Sequence, residues 1–179
     1  MDNVKQKAFF FIDEHKDEML ALWRELVSIE SGSADKDGVD TVADKIKNVL
    51  DLAGSQTRIV RFEKAGNMLL ATCGAPCQEA PVALLGHMDT GFAKGTLAQR
   101  PFLLQDGKAY GPGVLDMKGG IVVLVYAIKA LQAAGYAGRQ LKVILAGDEE
   151  VAHKDSNAAE LIREEAAGCI AAFTFETGF

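Results

Sequence analysis

The amino-acid sequence predicts an α/β protein, a three-layer sandwich with a largely parallel or mixed central sheet and helices on both faces. Three observations predict it. From residue 81 onward, stretches of strand and helix character alternate, the order expected when parallel strands are joined by crossover helices. The run at 81–85 is continuously apolar, as strands are when both of their faces are covered, and 141–146 reads as another buried strand. The chain has 179 residues, 49% of them apolar, enough to build one domain around a core rather than a disordered tail.

The elements follow in order. Residues 3–29 carry Ala8, Phe11, Ile12, Leu22, Leu26 and Ile29 near a 3.6-residue period and read as one helix, ended by Ser31-Gly32-Ser33. A second helix is expected over 39–53, with Val39, Val42, Ala43, Ile46, Val49 and Leu50 as its stripe and Gly54 as its stop. Strands at 57–62 and 68–73 flank a Gly66-Asn67 turn. The run at 81–85 reads as a central strand, and 101–110 holds two short strand candidates around Gln105-Asp106-Gly107. A largely apolar helix at 119–134 leads to a buried strand at 141–146. Asn157 and Glu160 are spaced as a capping box for the next helix, Gly168 closes it, and 170–175 is the last strand.

Charge and composition exclude several functions. The net charge of −6 argues against nucleic acid, which needs clustered Lys and Arg. Nothing approaches the run of about 20 apolar residues that a membrane-spanning helix needs. The patch Phe9-Phe10-Phe11-Ile12 is too short for the core of a signal peptide and runs at once into acidic residues. Cys73, Cys77 and Cys169 are odd in number, and Cys73 and Cys77 have no matching second pair for a metal, so free thiols in a reducing cytoplasm are expected.

In open α/β sheets, ligands bind beyond the carboxyl ends of the strands. Gly86-His87-Met88-Asp89 follows the strand at 81–85, Gly111 to Asp116 follows 108–110, Gly147-Asp148-Glu149-Glu150 follows 141–146, and Glu176 follows 170–175. One edge thus collects a histidine and six carboxylates. Close carboxylates raise one another's pKa, and a bound cation removes that cost. Imidazole with carboxylates suits zinc, cobalt or manganese better than calcium, which takes oxygen. In His87-x-Asp89, the aspartate can accept the second ring N–H and fix the ligand tautomer. Paired Glu149-Glu150 lets one carboxylate bind metal while the other handles a proton. Taken singly, a histidine at a strand end or an Asp-Glu-Glu loop is usually structural; the joint placement carries the weight. There is no Gly-x-Ser-x-Gly elbow or phosphate-binding Gly-x-x-x-x-Gly-Lys loop. Gly111-Pro112-Gly113 opens like a dinucleotide fingerprint, but Asp116 stands at its third glycine and would repel a pyrophosphate.

Three motifs, Leu84-Leu85-Gly86-His87-Met88-Asp89-Thr90, Gly111-Pro112-Gly113-Val114-Leu115-Asp116-Met117-Lys118-Gly119-Gly120 and Gly147-Asp148-Glu149-Glu150, with Glu176 at the next strand end, resemble the di-zinc exopeptidases. That family includes glutamate carboxypeptidase, aminoacylase, succinyl-diaminopimelate desuccinylase and peptidase T. The resemblance implies a zinc-exopeptidase-like catalytic domain binding two zinc ions, with cobalt or manganese as substitutes. It implies that Asp116 bridges the metals, that His87 and Glu176 complete one metal's protein ligands, and that Glu150 binds the other. Glu149 would be the base that deprotonates the metal-bridging water and then protonates the leaving amine, and Asp89 would orient His87. A cis peptide at Asp116-Met117 is implied too. The implied reaction is hydrolysis of a peptide or N-acyl amino acid bond, and Glu at 176 leans it towards a carboxypeptidase.

Family members carry an inserted dimerisation or lid domain after this strand, and a C-terminal segment that supplies a last histidine ligand. Residues 1–179 are therefore expected to be the N-terminal part of the catalytic domain, incomplete at its C-terminus. Three protein ligands for one metal and two for the other imply one tighter and one weaker site. The alternative is a non-catalytic fragment or paralogue that binds metal or a partner chain. An unpaired sheet edge would favour self-association or a complementing C-terminal half. His153 stands where relatives have a Gly-Ser-rich turn and is expected to be solvated rather than a substitute ligand. His15 is expected to be exposed within the first helix.

Overall fold

The computed structural model describes residues 2–177. Met1, Gly178 and Phe179, included in the span expected for the domain, lie outside the described residues. The chain runs α1 (Asp2–Glu14), α2 (Lys16–Val27), α3 (Lys36–Leu52), β1 (Gln56–Val60), β2 (Met68–Cys73), β3 (Val82–His87), α4 (Thr96–Gln99), β4 (Leu103–Gln105), β5 (Lys108–Tyr110), α5 (Lys118–Ala133), β6 (Leu141–Ala146), a 3-10 turn (Glu149–Val151), α6 (Ala158–Ala166) and β7 (Ala171–Thr174). Five strands form one sheet in the order β1-β2-β6-β3-β7. β3 runs parallel to both β6 and β7, whereas β1 to β2 and β2 to β6 are antiparallel, so the sheet is mixed.

The two-residue period of β2 sets the layers. Leu69, Ala71 and Cys73 point into the larger core with α2, α3 and α5, while Met68 and Leu70 point the other way, towards Leu161, Ile162 and Ala166 on α6. Helix α3 buries the stripe Val39, Val42, Ala43, Ile46 and Leu50. Helix α5 is apolar nearly all round and correspondingly central, with Ile121, Leu124, Val125 and Ile128 fully buried. No helix among the described residues is long and apolar enough to cross a membrane. The three cysteines are free.

The structure departs from the sequence reading at four places. The first helix is two, broken at His15. Its Nδ1 lies 2.7 Å from the Phe11 carbonyl, the acceptor its own backbone N–H would use in a continuous helix, and that N–H bonds to Ile12 O instead. The His15 ring stacks on Phe11 and is half-buried, not exposed. The second departure is β5, which pairs only with β4 in a separate hairpin, turned by Asp106 and Gly107 at positive φ. Gly111 to Asp116 therefore do not follow a strand of the main sheet. Third, the capping box does not form. Asn157 makes no side-chain cap, and the Ala158 N–H donates to Ser156 Oγ at 3.0 Å. Fourth, His87 is the last residue of β3 rather than the loop beyond it.

β7 is the sheet's outer strand next to β3, and three of its four residues are exposed. Ile170 is 60% and Phe173 56% exposed there. Nearby, a cavity of about 680 Å³ is lined by Met19, Leu20, Trp23, Val123 and Phe175 and reaches Glu176.

Candidate metal centre

The site forms where two parallel strands end level. His87 of β3 is paired with Ala146 of β6, and the Met88 N–H donates to Ala146 O, so Asp89 emerges beside the Glu149-Glu150 turn. The remaining parts arrive from elsewhere. Asp116 comes from the turn that opens α5, where the Asp116-Met117 peptide is cis, as the resemblance implied. This turn crosses close to Thr90. Gly113 has φ +69, and a Cβ on it would stand 2.6 Å from Thr90 Cγ2, so no larger residue fits there. Glu176 lies just past β7.

His87 is 1% exposed and is held from three sides. Its backbone N–H donates to Met117 Sδ at 3.0 Å, and its Nδ1 lies 3.1 Å from Asp89 Oδ1. Nε2 then faces Asp116 Oδ1 at 3.1 Å, Glu176 Oε1 at 3.3 Å and Glu149 Oε2 at 4.0 Å. Ligand atoms of His87, Asp116 and Glu150 all lie within 4.8 Å of one another. Glu150 Oε1 also accepts the Gly91 N–H at 2.9 Å. The side chains of Asp116 and Glu149 are 54% and 53% exposed, so the group opens to solvent on the side away from the histidine.

Asp89 does more than orient the ring. It is fully buried, and both of its oxygens are shared. Oδ1 also accepts the Glu149 N–H at 3.0 Å, while Oδ2 accepts the Glu150 N–H at 3.1 Å and the Ser33 hydroxyl at 2.7 Å. Burial raises the Asp89 pKa, but these bonds, led by the one to His87, bring it below the ordinary value.

The field around Nε2 is strongly negative. Burial of His87 opposes its charge, yet the Asp89 hydrogen bond and the pull of Asp89, Glu176 and Glu149 outweigh it and raise the ring to about 9. Glu150 is raised by burial and then by Asp116. Glu176 is raised by burial, with Asp116 and Glu149 pushing the same way. These residues fit a divalent cation. A proton on Nε2 answers the field with one positive charge, and a divalent ion held by nitrogen and carboxylate oxygens would answer it with two.

The structure does not gather all six carboxylates. Asp148 is buried and turned away, with Oδ1 2.8 Å from His153 Nδ1 and Oδ2 without a partner among the described residues. His153 is thus engaged with Asp148 and stands outside the His87–Asp116–Glu150 group. It is also half-buried rather than solvated, at φ +56. The sequence reading missed Ser33 and Gly91, and it gave Met117 only as half of the cis peptide and not as the acceptor of the His87 N–H. Ser33 stood out only as part of a helix break 56 residues from its partner.

Comparison with known proteins places this site in a family. The model of peptidase family M20/M25/M40 matches residues 83–178, more than half of the chain. Carboxypeptidase G2 of Pseudomonas sp. (strain RS-16) is 33% identical over 147 residues, covering 79% of this chain and 34% of that protein. The Beta-Ala-His dipeptidase of Mus musculus is 30% identical over 166 residues, covering 81% of this chain and 34% of that protein. The crystal structure of human carnosine dipeptidase 1 superposes with a TM-score of 0.80 at 23% identity, over 97% of this chain and 41% of that one. The chain spans about a third of the length of the curated relatives it matches. With the family model, the sequence relatives and the fold in agreement, the chain belongs to peptidase family M20/M25/M40.

Proposed function

We propose that this chain carries the metal-binding half of the active site of a zinc-dependent hydrolase of peptide or N-acyl amino acid bonds, carboxypeptidase-like in its chemistry. The observation that carries the reading is the convergence of His87, Asp116 and Glu150 ligand atoms within 4.8 Å, beside the solvent-open Glu149. Relatives named as a carboxypeptidase and a dipeptidase support a peptide bond as the target. Residues 1–179 are read as the N-terminal part of the catalytic domain.

In this reading His87, Asp116, Glu150 and Glu176 would hold the metal, zinc first, with cobalt or manganese as substitutes, and Asp116 would count as a ligand of both ions. A bound divalent ion would polarise the scissile carbonyl and make water acidic enough to lose a proton near neutral pH. Glu149 takes the proton of the attacking water and returns it to the leaving amine. Its backbone is anchored on Asp89 while its carboxylate faces solvent, which suits a group that must reach substrate. Asp89 holds His87 so that Nε2 is aimed at the carboxylates.

Zinc titration by calorimetry, paired with assays on dipeptides and N-acyl amino acids, tests this. Glu149→Gln is expected to retain zinc and lose about 10²-fold or more in turnover. His87→Ala is expected to lose zinc. A Glu149→Gln variant that turns over at the unsubstituted rate would sink the base assignment. With three protein ligands for one ion and two for the other, one zinc should bind more tightly than the second, and two equally tight sites would contradict that ligand division.

A further inference from the structure

We propose that Ser33 is a positioning residue of this site: its hydroxyl, donated to Asp89 Oδ2, holds the one carboxylate that orients both the His87 ring and the backbone of Glu149 and Glu150. The inference deepens the metal-site reading above and, for its effect on metal, rests on it.

The argument begins with saturation. A carboxylate offers about four acceptor positions. Asp89, sealed from water, has all four engaged: Oδ1 by His87 Nδ1 and the Glu149 N–H, Oδ2 by the Glu150 N–H and the Ser33 hydroxyl. Three of those donors belong to the residues being positioned and shift with them. Ser33 is the fourth, and it comes from a different part of the chain, just after α2.

That part is tied down independently of the hydroxyl. The Ser33 N–H donates to Thr90 O at 3.1 Å, the Thr90 N–H donates to Ser31 O at 2.8 Å, and Gly32 and Thr90 form a parallel bridge. Upstream, the buried Lys118 Nζ donates to Leu26 O at 2.9 Å and Ile29 O at 2.7 Å, fixing the end of α2 and the residues that lead into the loop. Ser33 therefore presents its hydroxyl from a fixed frame.

The terminal torsion of an aspartate is soft, with a broad and roughly two-fold profile. Oδ1 and Oδ2 hold different amides of the 3-10 turn, so a rotation of the carboxylate disturbs the ring and both glutamate backbones together. The Ser33 bond, the shortest of the four, is the external contact that opposes this rotation.

Two readouts test the role. In the metal-free chain, hydrogen exchange at the Glu149 and Glu150 amides is expected to be faster in Ser33→Ala than in the unsubstituted chain, while amides of β3 and β6 keep their protection and the melting temperature falls by a few degrees, the cost of leaving a buried carboxylate oxygen short of a donor. In a zinc titration, Ser33→Ala is expected to bind about 10-fold more weakly or worse, the range found when a group that orients a metal ligand is removed. Ser33→Thr, which keeps the hydroxyl, is expected to restore both. Unchanged exchange at Glu149 and Glu150 in Ser33→Ala, or equal defects in Ser33→Ala and Ser33→Thr, would overturn the proposal. If the unsubstituted chain takes no zinc while the exchange effect stands, the metal-site reading fails and the positioning role of Ser33 remains.

Discussion

His87 carries the chemistry of the site at the scale of a single residue, because one side of its ring is committed and the other is aimed. With Nδ1 on Asp89, Nε2 meets Asp116, Glu176 and Glu149. Its folded value of about 9 stands above the ordinary 6.5. In the metal-free chain, the stabilisation from the charged ring is therefore complete below pH 6.5 and is lost as pH rises through about 9. A metal takes the neutral nitrogen, so loading must expel that proton. Zinc binding at pH 7.5 is expected to release protons, read as a calorimetric heat that changes with the ionisation enthalpy of the buffer. A buffer-independent heat would count against a protonated His87.

At the scale of elements, the site depends on close backbone approaches that fix where each loop stands. One of them involves α5 and the segment after β7: a Cβ on Gly120 would sit 1.9 Å from the Phe175 carbonyl oxygen. That obstacle is backbone and cannot rotate away. Gly120→Ala is expected to cost about 1–3 kcal/mol, the usual penalty for overpacking a tight contact. It should also push Glu176, the next residue, away from His87. Urea denaturation measures the first effect and zinc affinity the second, and a variant as stable as the unsubstituted chain would show that the two elements can part freely. The expected strand at 108–110 belongs here as well. It does form, but in a separate hairpin. Asp116 reaches the centre because the turn from Gly111 to Met117 delivers it, not because a strand of the main sheet ends there.

For the whole molecule, the largest consequence of the topology is its open side. β7 presents an uncharged outer edge, with Ile170 and Phe173 exposed, and an apolar cavity of about 680 Å³ lies close by along α2 and α5. Unprotected edges and apolar faces favour association with further polypeptide. Sedimentation velocity is expected to show concentration-dependent self-association of the chain. Phe173→Lys, which puts a charge on the edge strand, is expected to reduce it. A strictly monomeric chain at high concentration would remove this expectation.

The sequence by itself determined the order of the strands and helices from residue 81, the interior position of the 81–85 run, and three residues, His87, Asp116 and Glu150, whose side chains come together, with Glu149 and Glu176 facing the same His87 nitrogen. The strands, and His87, Glu149 and Glu150 at or beside their ends, were legible because apolar runs and the residues that follow them are local properties of the chain, whereas Asp116 is delivered by a turn and not by a strand of the main sheet. Only the tertiary structure decided the rest. Asp148 belongs to the same motif as Glu149, yet it pairs with His153 and stands outside the group. Asp89 looked like a partner for one ring nitrogen and proved to hold the Glu149-Glu150 turn as well. Ser33 read only as part of a helix break until the loop after α2 bridged to Thr90 and set its hydroxyl on Asp89. The physical reason is the same in each case. A hydrogen bond between residues far apart in sequence depends on which backbone segments are brought within about 3 Å of each other, and that is fixed by packing rather than by spacing along the chain.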